Sequence, residues 1–211
     1  MKQILVYGDS LSWGIIPGTR QRLPFLQRWP GVLEAELAKA GMHLRIIEDC
    51  LNGRRTVWDD PFKPGRNGLA GLEQRIEVNS PLELVVLMLG TNDFQSVHQH
   101  NASHSAQGIA SLVRAIRRAP IEPDMPVPTI LIVAPPRAGT PAGTMTDKFA
   151  RAREKAEGFS EAFASIAAEM SCAFFDAGRI ITASPIDGVH LDADQHHILG
   201  MSLVEPVRKL L

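Results

Sequence analysis

Four short stretches carry side chains suited to one kind of chemistry. In Gly8-Asp9-Ser10-Leu11-Ser12-Trp13-Gly14 a serine follows directly on the apolar run Ile4-Leu5-Val6-Tyr7. A glycine two residues before Ser10 lets the backbone turn sharply and brings the hydroxyl to the end of that run. If a helical turn begins at Ser10, its own N–H lies at a helix N-terminus, where anionic oxygens are stabilised. Ser10 or Asp9 could equally serve only as an N-cap. Near the other end, Asp187-Gly188-Val189-His190 sets a carboxylate three residues before an imidazole. Such a pair can fix the tautomer that leaves Nε2 free to take a proton, although loop pairs of this kind also occur as plain surface contacts. Gly90-Thr91-Asn92-Asp93 offers the Asn92 amide as a donor, or as an Asx-turn. Within Cys50-Leu51-Asn52-Gly53-Arg54-Arg55-Thr56, Gly53 could present a bare backbone N–H or simply supply a positive φ. Together these are a nucleophile, a base with its orienter and two donors, the set that acyl transfer requires.

Positioning them falls to short apolar runs that alternate with longer amphipathic segments. Ile4–Tyr7, Leu44–Glu48, Leu84–Leu89, Thr129–Ala134 and Ala173–Phe175 read as strands apolar on both faces, which suits a parallel sheet covered by helices on each side. Trp29–Ala40, Leu69–Glu77, Ser103–Arg118, Asp147–Ser171 and Ala193–Leu211 read as the helices. Five such alternations predict an α/β fold: one domain over residues 1–211, a three-layer flavodoxin-like sandwich with a five-stranded parallel sheet. All four chemistry-bearing stretches then fall on loops at the carboxyl ends of strands or ahead of the last helix, where open α/β sheets bind ligands.

Composition narrows the field further. The chain has 211 residues, 45% hydrophobic and 21% charged, with 22 basic and 23 acidic side chains and a net charge of −1. That balance offers no electrostatic footprint for nucleic acid or an anionic membrane. The longest strongly apolar run, Leu84–Leu89, is far below the ~20 residues of a membrane span. Met1-Lys2-Gln3 passes straight into the first strand and leaves no room for a leader, so a cytoplasmic protein with free thiols at Cys50 and Cys172 is expected. His98, His100 and His104 read as a polar loop entering a helix rather than as metal ligands, and no cofactor is expected. Arg54 and Arg55 read as solvated loop charges, with Arg54 also a candidate for touching a substrate carboxylate.

The sequence resembles the SGNH, or GDSL, hydrolases. Gly8-Asp9-Ser10-Leu11 matches the first block of that family, Gly53 the second-block glycine, Gly90-Thr91-Asn92-Asp93 the third and Asp187-Gly188-Val189-His190 the fifth. No G-x-S-x-G elbow is present, which separates the chain from α/β-hydrolases. Tyr7–Gly14, Arg28-Trp29-Pro30-Gly31-Val32-Leu33, Met88–Asp93 and Phe175-Asp176-Ala177-Gly178 are similar to the bacterial arylesterase/acyltransferase branch. The resemblance implies an SGNH hydrolase fold and an intracellular serine esterase acting on short acyl esters, with acyltransferase or perhydrolase activity in some members. It implies Ser10 as nucleophile, His190 as base and Asp187 as its orienter. The oxyanion would be held by the Ser10 and Gly53 N–H groups and the Asn92 side chain. Trp13 becomes a candidate for the acyl-pocket wall, or for the core. The implied partners are a small-molecule ester and further copies of the chain, an octamer being one such assembly. Carbohydrate O-deacetylation, or thioesterase or lysophospholipase activity, would use the same triad. A flavodoxin-like binding module without chemistry is the alternative from another class, though no phosphate cradle is written in the first loop.

Overall fold

In the computed structural model, which describes residues 2–211, the apolar runs form one parallel sheet. Met1 of the expected 1–211 domain lies outside the described residues. The strands are β1 (Lys2–Gly8), β2 (Leu44–Cys50), β3 (Leu84–Met88), β4 (Thr129–Ala134) and β5 (Ala173–Asp176). The helices are α1 (Ser10–Trp13), α2 (Trp29–Lys39), α3 (Leu72–Asn79), α4 (Ala102–Arg118), α5 (Ala152–Lys155), α6 (Phe159–Glu169) and α7 (Ala193–Arg208). Every strand pair is parallel and the order is β2-β1-β3-β4-β5, with Ile4 opposite both Ile46 and Leu84.

Side chains alternate across the strands and feed two cores. Leu5, Tyr7, Val85, Leu87 and Ile132 pack with α3, α4 and α6, while Ile4, Val6, Val86, Met88 and Val133 pack with α2 and α7. Both faces are dry because each is covered by helices, so alternation of polar and apolar residues is absent from the central strands. Every fully buried leucine or isoleucine in these layers contributes about 1.5–3 kcal/mol of transfer free energy.

The expected segment Asp147–Ser171 is not one helix. It divides into α5 and α6, and Gly158, in the left-handed region at φ +72°, separates them. The apolar spacing spans the break because both pieces pack Ala152, Ala156, Phe159 and Phe163 into the same core. The other boundaries shift by a few residues, and α4 opens one residue earlier than expected. There the Asn101 side chain accepts from the His104 N–H (3.1 Å) and the His104 ring accepts from the Asn101 N–H (3.2 Å). Cys50 and Cys172 are free. Among the described residues, no helix is long and apolar enough to cross a membrane.

The order 2-1-3-4-5 reverses direction between β1 and β3, which opens a crevice at their carboxyl ends. The loops after β1, β2 and β3 and the loop ahead of α7 meet there.

Candidate active site

Ser10 is the first residue of α1 and almost fully buried. Asp9 caps the helix, its Oδ1 accepting from the Leu11 N–H at 2.9 Å. Its other oxygen accepts from Asn92 Nδ2, also at 2.9 Å, so Asp9 joins the first loop to the third. Asn92 Nδ2 donates a second bond to the Arg54 carbonyl (3.1 Å), and its Oδ1 accepts from Gln95 Nε2 (2.7 Å). Every polar atom of the Asn92 side chain is therefore held. Burial pushes the Asp9 carboxyl up to about 6, against the bonds from Leu11 and Asn92 and the charges of His190 and Arg54, which favour ionisation.

Gly53 sits at φ +83° in the loop after β2. Among the described residues, neither its N–H nor that of Ser10 has a protein acceptor. Two unsatisfied donors beside a serine hydroxyl can bind an oxygen that gains negative charge.

Ahead of α7, Asp187 receives a dense set of donors. Its Oδ1 accepts from the Val189 and His190 N–H groups, both at 2.9 Å. Its Oδ2 lies 2.7 Å from His190 Nδ1 and accepts from the Gly18 N–H at 3.1 Å. Burial alone would raise this carboxyl, but the bonds from the His190 ring and from the two amides outweigh it and hold the group far below the usual carboxylate range. The tight loop depends on Gly188 at φ +74°, where a Cβ would meet the Thr140 carbonyl oxygen at 2.2 Å. With Nδ1 turned to Asp187, Nε2 is left for a proton from elsewhere.

Ser10, Gly53, Asn92 and His190 line one small cleft, together with Ile15, Met145 and Phe149. Among the described residues, no direct hydrogen bond joins the Ser10 hydroxyl to His190; such contacts commonly tighten only when substrate is bound.

Two candidate pocket residues lie elsewhere. Trp13 is outside the cleft wall, its ring stacked under the Arg22 guanidinium at 4.7 Å. Arg54 turns inward. It pairs with Asp49 (2.7 Å), donates to the Gly8 carbonyl and lies 3.9 Å over the Tyr7 ring, so it is neither a solvated charge nor a substrate contact. Arg55 is likewise buried, bound to Asp60 (2.8 Å) and to Gln95 Oε1 (2.7 Å). Both arginines turn in to acceptors that folding brings to them, the Gly8 and Asp49 carbonyls for Arg54 and the Gly53 carbonyl and Asp60 for Arg55. The histidine segment is a loop entering α4: the His100 ring stacks on Trp58 at 3.9 Å, and burial, with neighbouring His98 and His104, lowers its pKa to about 4. Among the described residues, no cluster of three or more His, Cys, Asp or Glu is placed to hold a metal.

Asp93 is a further residue of the site, with no chemical role written in its local sequence. It is fully buried and accepts from the Thr56 N–H (3.0 Å), the Thr56 hydroxyl (2.7 Å) and the Ser105 hydroxyl (2.6 Å). Its only local signal is its position directly after Asn92.

A model of the GDSL-like lipase/acylhydrolase family matches residues 6–198. The structure is similar to that of an inhibitor-bound aryl esterase from M. smegmatis, with 32% identity, full coverage of both chains and a TM-score of 0.94. It is equally similar to Est24, a carbohydrate acetylesterase from Sinorhizobium meliloti, at 33% identity, full coverage of both chains and a TM-score of 0.94. A carbohydrate acetylesterase family member from the same organism matches at 36% identity, covering 100% of this chain and 99% of its own, with a TM-score of 0.93. No match is found among curated protein sequences.

Proposed function

This chain belongs to the GDSL-like lipase/acylhydrolase family and is an ester-hydrolysing enzyme, and on that premise we propose that it cleaves short-chain acyl esters through a covalent intermediate on Ser10. Membership of an acylhydrolase family sets aside the non-catalytic binding module.

In this reading the Ser10 Oγ attacks the ester carbonyl while His190 Nε2 takes the hydroxyl proton, and Asp187 stabilises the imidazolium through Nδ1. The negative charge that develops on the carbonyl oxygen meets the free N–H groups of Ser10 and Gly53 and the Asn92 amide. Each such donor is worth roughly 3–4 kcal/mol of transition-state stabilisation. The tetrahedral adduct collapses, the C–O bond to the alcohol breaks, and the alcohol leaves with the proton from His190. Water then attacks the acyl-Ser10 carbonyl, giving its proton to His190, and the acid departs as Ser10 regains its hydrogen. An alcohol or peroxide in place of that water gives acyl transfer or perhydrolysis.

The observation that carries this reading is the meeting of an oriented imidazole, a serine and two acceptor-free amides in one small cleft. Aryl acetates and O-acetylated carbohydrates are the substrate classes that the similar structures suggest. Thioester and lysophospholipid cleavage would use the same residues. By resemblance to the family, the proposal extends to an intracellular homo-oligomer such as an octamer.

A fluorophosphonate probe is expected to label the wild type at Ser10 and to leave Ser10→Ala unlabelled. Turnover of p-nitrophenyl acetate is expected to fall by several orders of magnitude in that variant. Undiminished turnover in Ser10→Ala would refute the assignment.

A further inference from the structure

The wall of the Ser10 cleft is positively charged, which hydrolysis of a neutral ester does not require. Three cations line it, Arg20, Lys63 and Lys148, against the single carboxylate of Asp60 apart from the triad. Asp60 is already committed, to Arg55 at 2.8 Å through one oxygen and to the Phe62 N–H at 2.9 Å through the other. Among the described residues, none of the three cations has an ion-pair partner. Asp147 borders an adjoining depression beside Lys148 and does not reach the cleft wall.

The three arrive from separate parts of the chain: the loop between α1 and α2, the excursion after β2 and the turn before α5. A backbone bond from the Ser96 N–H to the Lys148 carbonyl (2.8 Å) holds that turn against the loop after β3. Partial desolvation at the cleft wall lowers the Lys148 ammonium from its ordinary value, and Arg55, Lys63 and Arg20 push it the same way against Asp60. Desolvation, Arg66 and Arg20 act likewise on Lys63. The net charge of the whole chain is −1, so a local excess of three exposed cations is a property of this rim and not of the protein at large. Unpartnered like charges converging on a reactive serine are relieved by an anion placed among them.

We propose that the preferred substrates are esters whose alcohol part carries a negative charge, held at the cleft mouth by Arg20, Lys63 and Lys148. The alcohol part is the one concerned because the acyl group stays bonded to Ser10 at the floor of the cleft, whereas the alcohol must leave past the exposed rim. Ammonium groups recognise carboxylate and phosphate alike, as point charges. This inference rests on the acyl-enzyme reading above.

The test compares 4-acetoxybenzoate and 4-acetoxyphenyl phosphate with the neutral methyl 4-acetoxybenzoate, in the wild type and in Lys63→Ala/Lys148→Ala. Comparing ratios between the two proteins cancels the intrinsic reactivity of each ester. The wild-type preference for the anionic esters is expected to be about tenfold higher than that of the double variant, expressed in KM, and to shrink severalfold at 0.5 M salt. The larger effect, on carboxylate or on phosphate, identifies the anion served. Lys39→Ala, on the far surface of α2, is expected to keep the wild-type ratio. Equal ratios in wild type and double variant, or a preference only for p-nitrophenyl esters of dicarboxylic acids, would overturn the charge assignment while leaving the esterase reading intact. Failure to hydrolyse p-nitrophenyl acetate as well as the benzoates would count against that reading, and the charge assignment would fall with it.

Discussion

Asn92 is held so completely that its donation to a developing oxyanion depends on its neighbours. Its two amide hydrogens point to Asp9 (2.9 Å) and to the Arg54 carbonyl (3.1 Å), so an oxyanion must share one of them in a three-centre bond. Asp9 is thereby a positioning residue: ionised, it accepts from Asn92 and aims the amide. Replacement by asparagine sets one amide donor against another. Asp9→Asn is expected to lower kcat on the order of tenfold while KM stays near the wild-type value, a split that simple loss of binding would not produce. Equal kcat in steady-state assays would show that Asn92 is aimed without Asp9. The left-handed glycine at 188 acts at the same scale, allowing the carboxylate of Asp187 and the imidazole of His190 to close a contact over only three residues.

Between elements, the donors of the cleft are kept in register by a buried carboxylate that the chemistry itself does not use. Asp93 ties the loop after β2, through Thr56, to the start of α4, through Ser105. Burial raises the Asp93 carboxyl while the bonds from Ser105 and Thr56 resist, and Arg55 adds its charge in the same sense. Asp93→Ala would leave one buried N–H and two buried hydroxyls with fewer partners. A loss of about 2–4 kcal/mol in urea unfolding is expected, together with reduced turnover, because Gly53 would no longer be fixed relative to Asn92. Unchanged stability would mean that these loops are held by the Arg54 and Arg55 contacts alone.

For the molecule as a whole, a buried histidine outside the cleft wall contributes to acid stability. His196 of α7 is fully buried, accepts the Trp29 N–H at the start of α2 (3.3 Å) and leaves Nε2 without a partner. Burial, with Arg28 and His190 adding to it, lowers its pKa to about 3. The unfolded chain therefore binds this proton near pH 6.5, the folded chain only near 3. Stability from this group is complete above about 6.5 and declines as pH falls towards 3, at about 1.4 kcal/mol per pH unit. Asp9 has the opposite sign: its folded value of about 6 exceeds the ordinary 3.8, so its share declines as pH rises between those values. His196→Gln can still accept from Trp29 and carries no titrating group, so its unfolding free energy is expected to change less between pH 6.5 and 4 than that of the wild type. Parallel curves for the two proteins would show that His196 adds nothing to this pH dependence.

How much could be read before folding differs by the range of the interaction. Local chemistry was legible: apolar runs too continuous for a half-exposed sheet, an Asp–His pair three residues apart, and a serine straight after a strand all express their roles within a few residues. For this reason the five strands, the sandwich and the stretches around Ser10, Gly53, Asn92 and His190 could be named from the chain. Direction of long side chains was not legible, since Arg54 and Arg55 look like surface charges until buried carbonyls, Asp49 and Asp60 are brought to them by folding. Trp13 lies outside the cleft wall with its ring under the Arg22 guanidinium, a contact that spacing along the chain does not encode. The break between α5 and α6, the Asp93 hub and the cationic rim likewise arise where segments distant in sequence meet. A free energy shared between such segments has no spacing along the chain by which to announce itself.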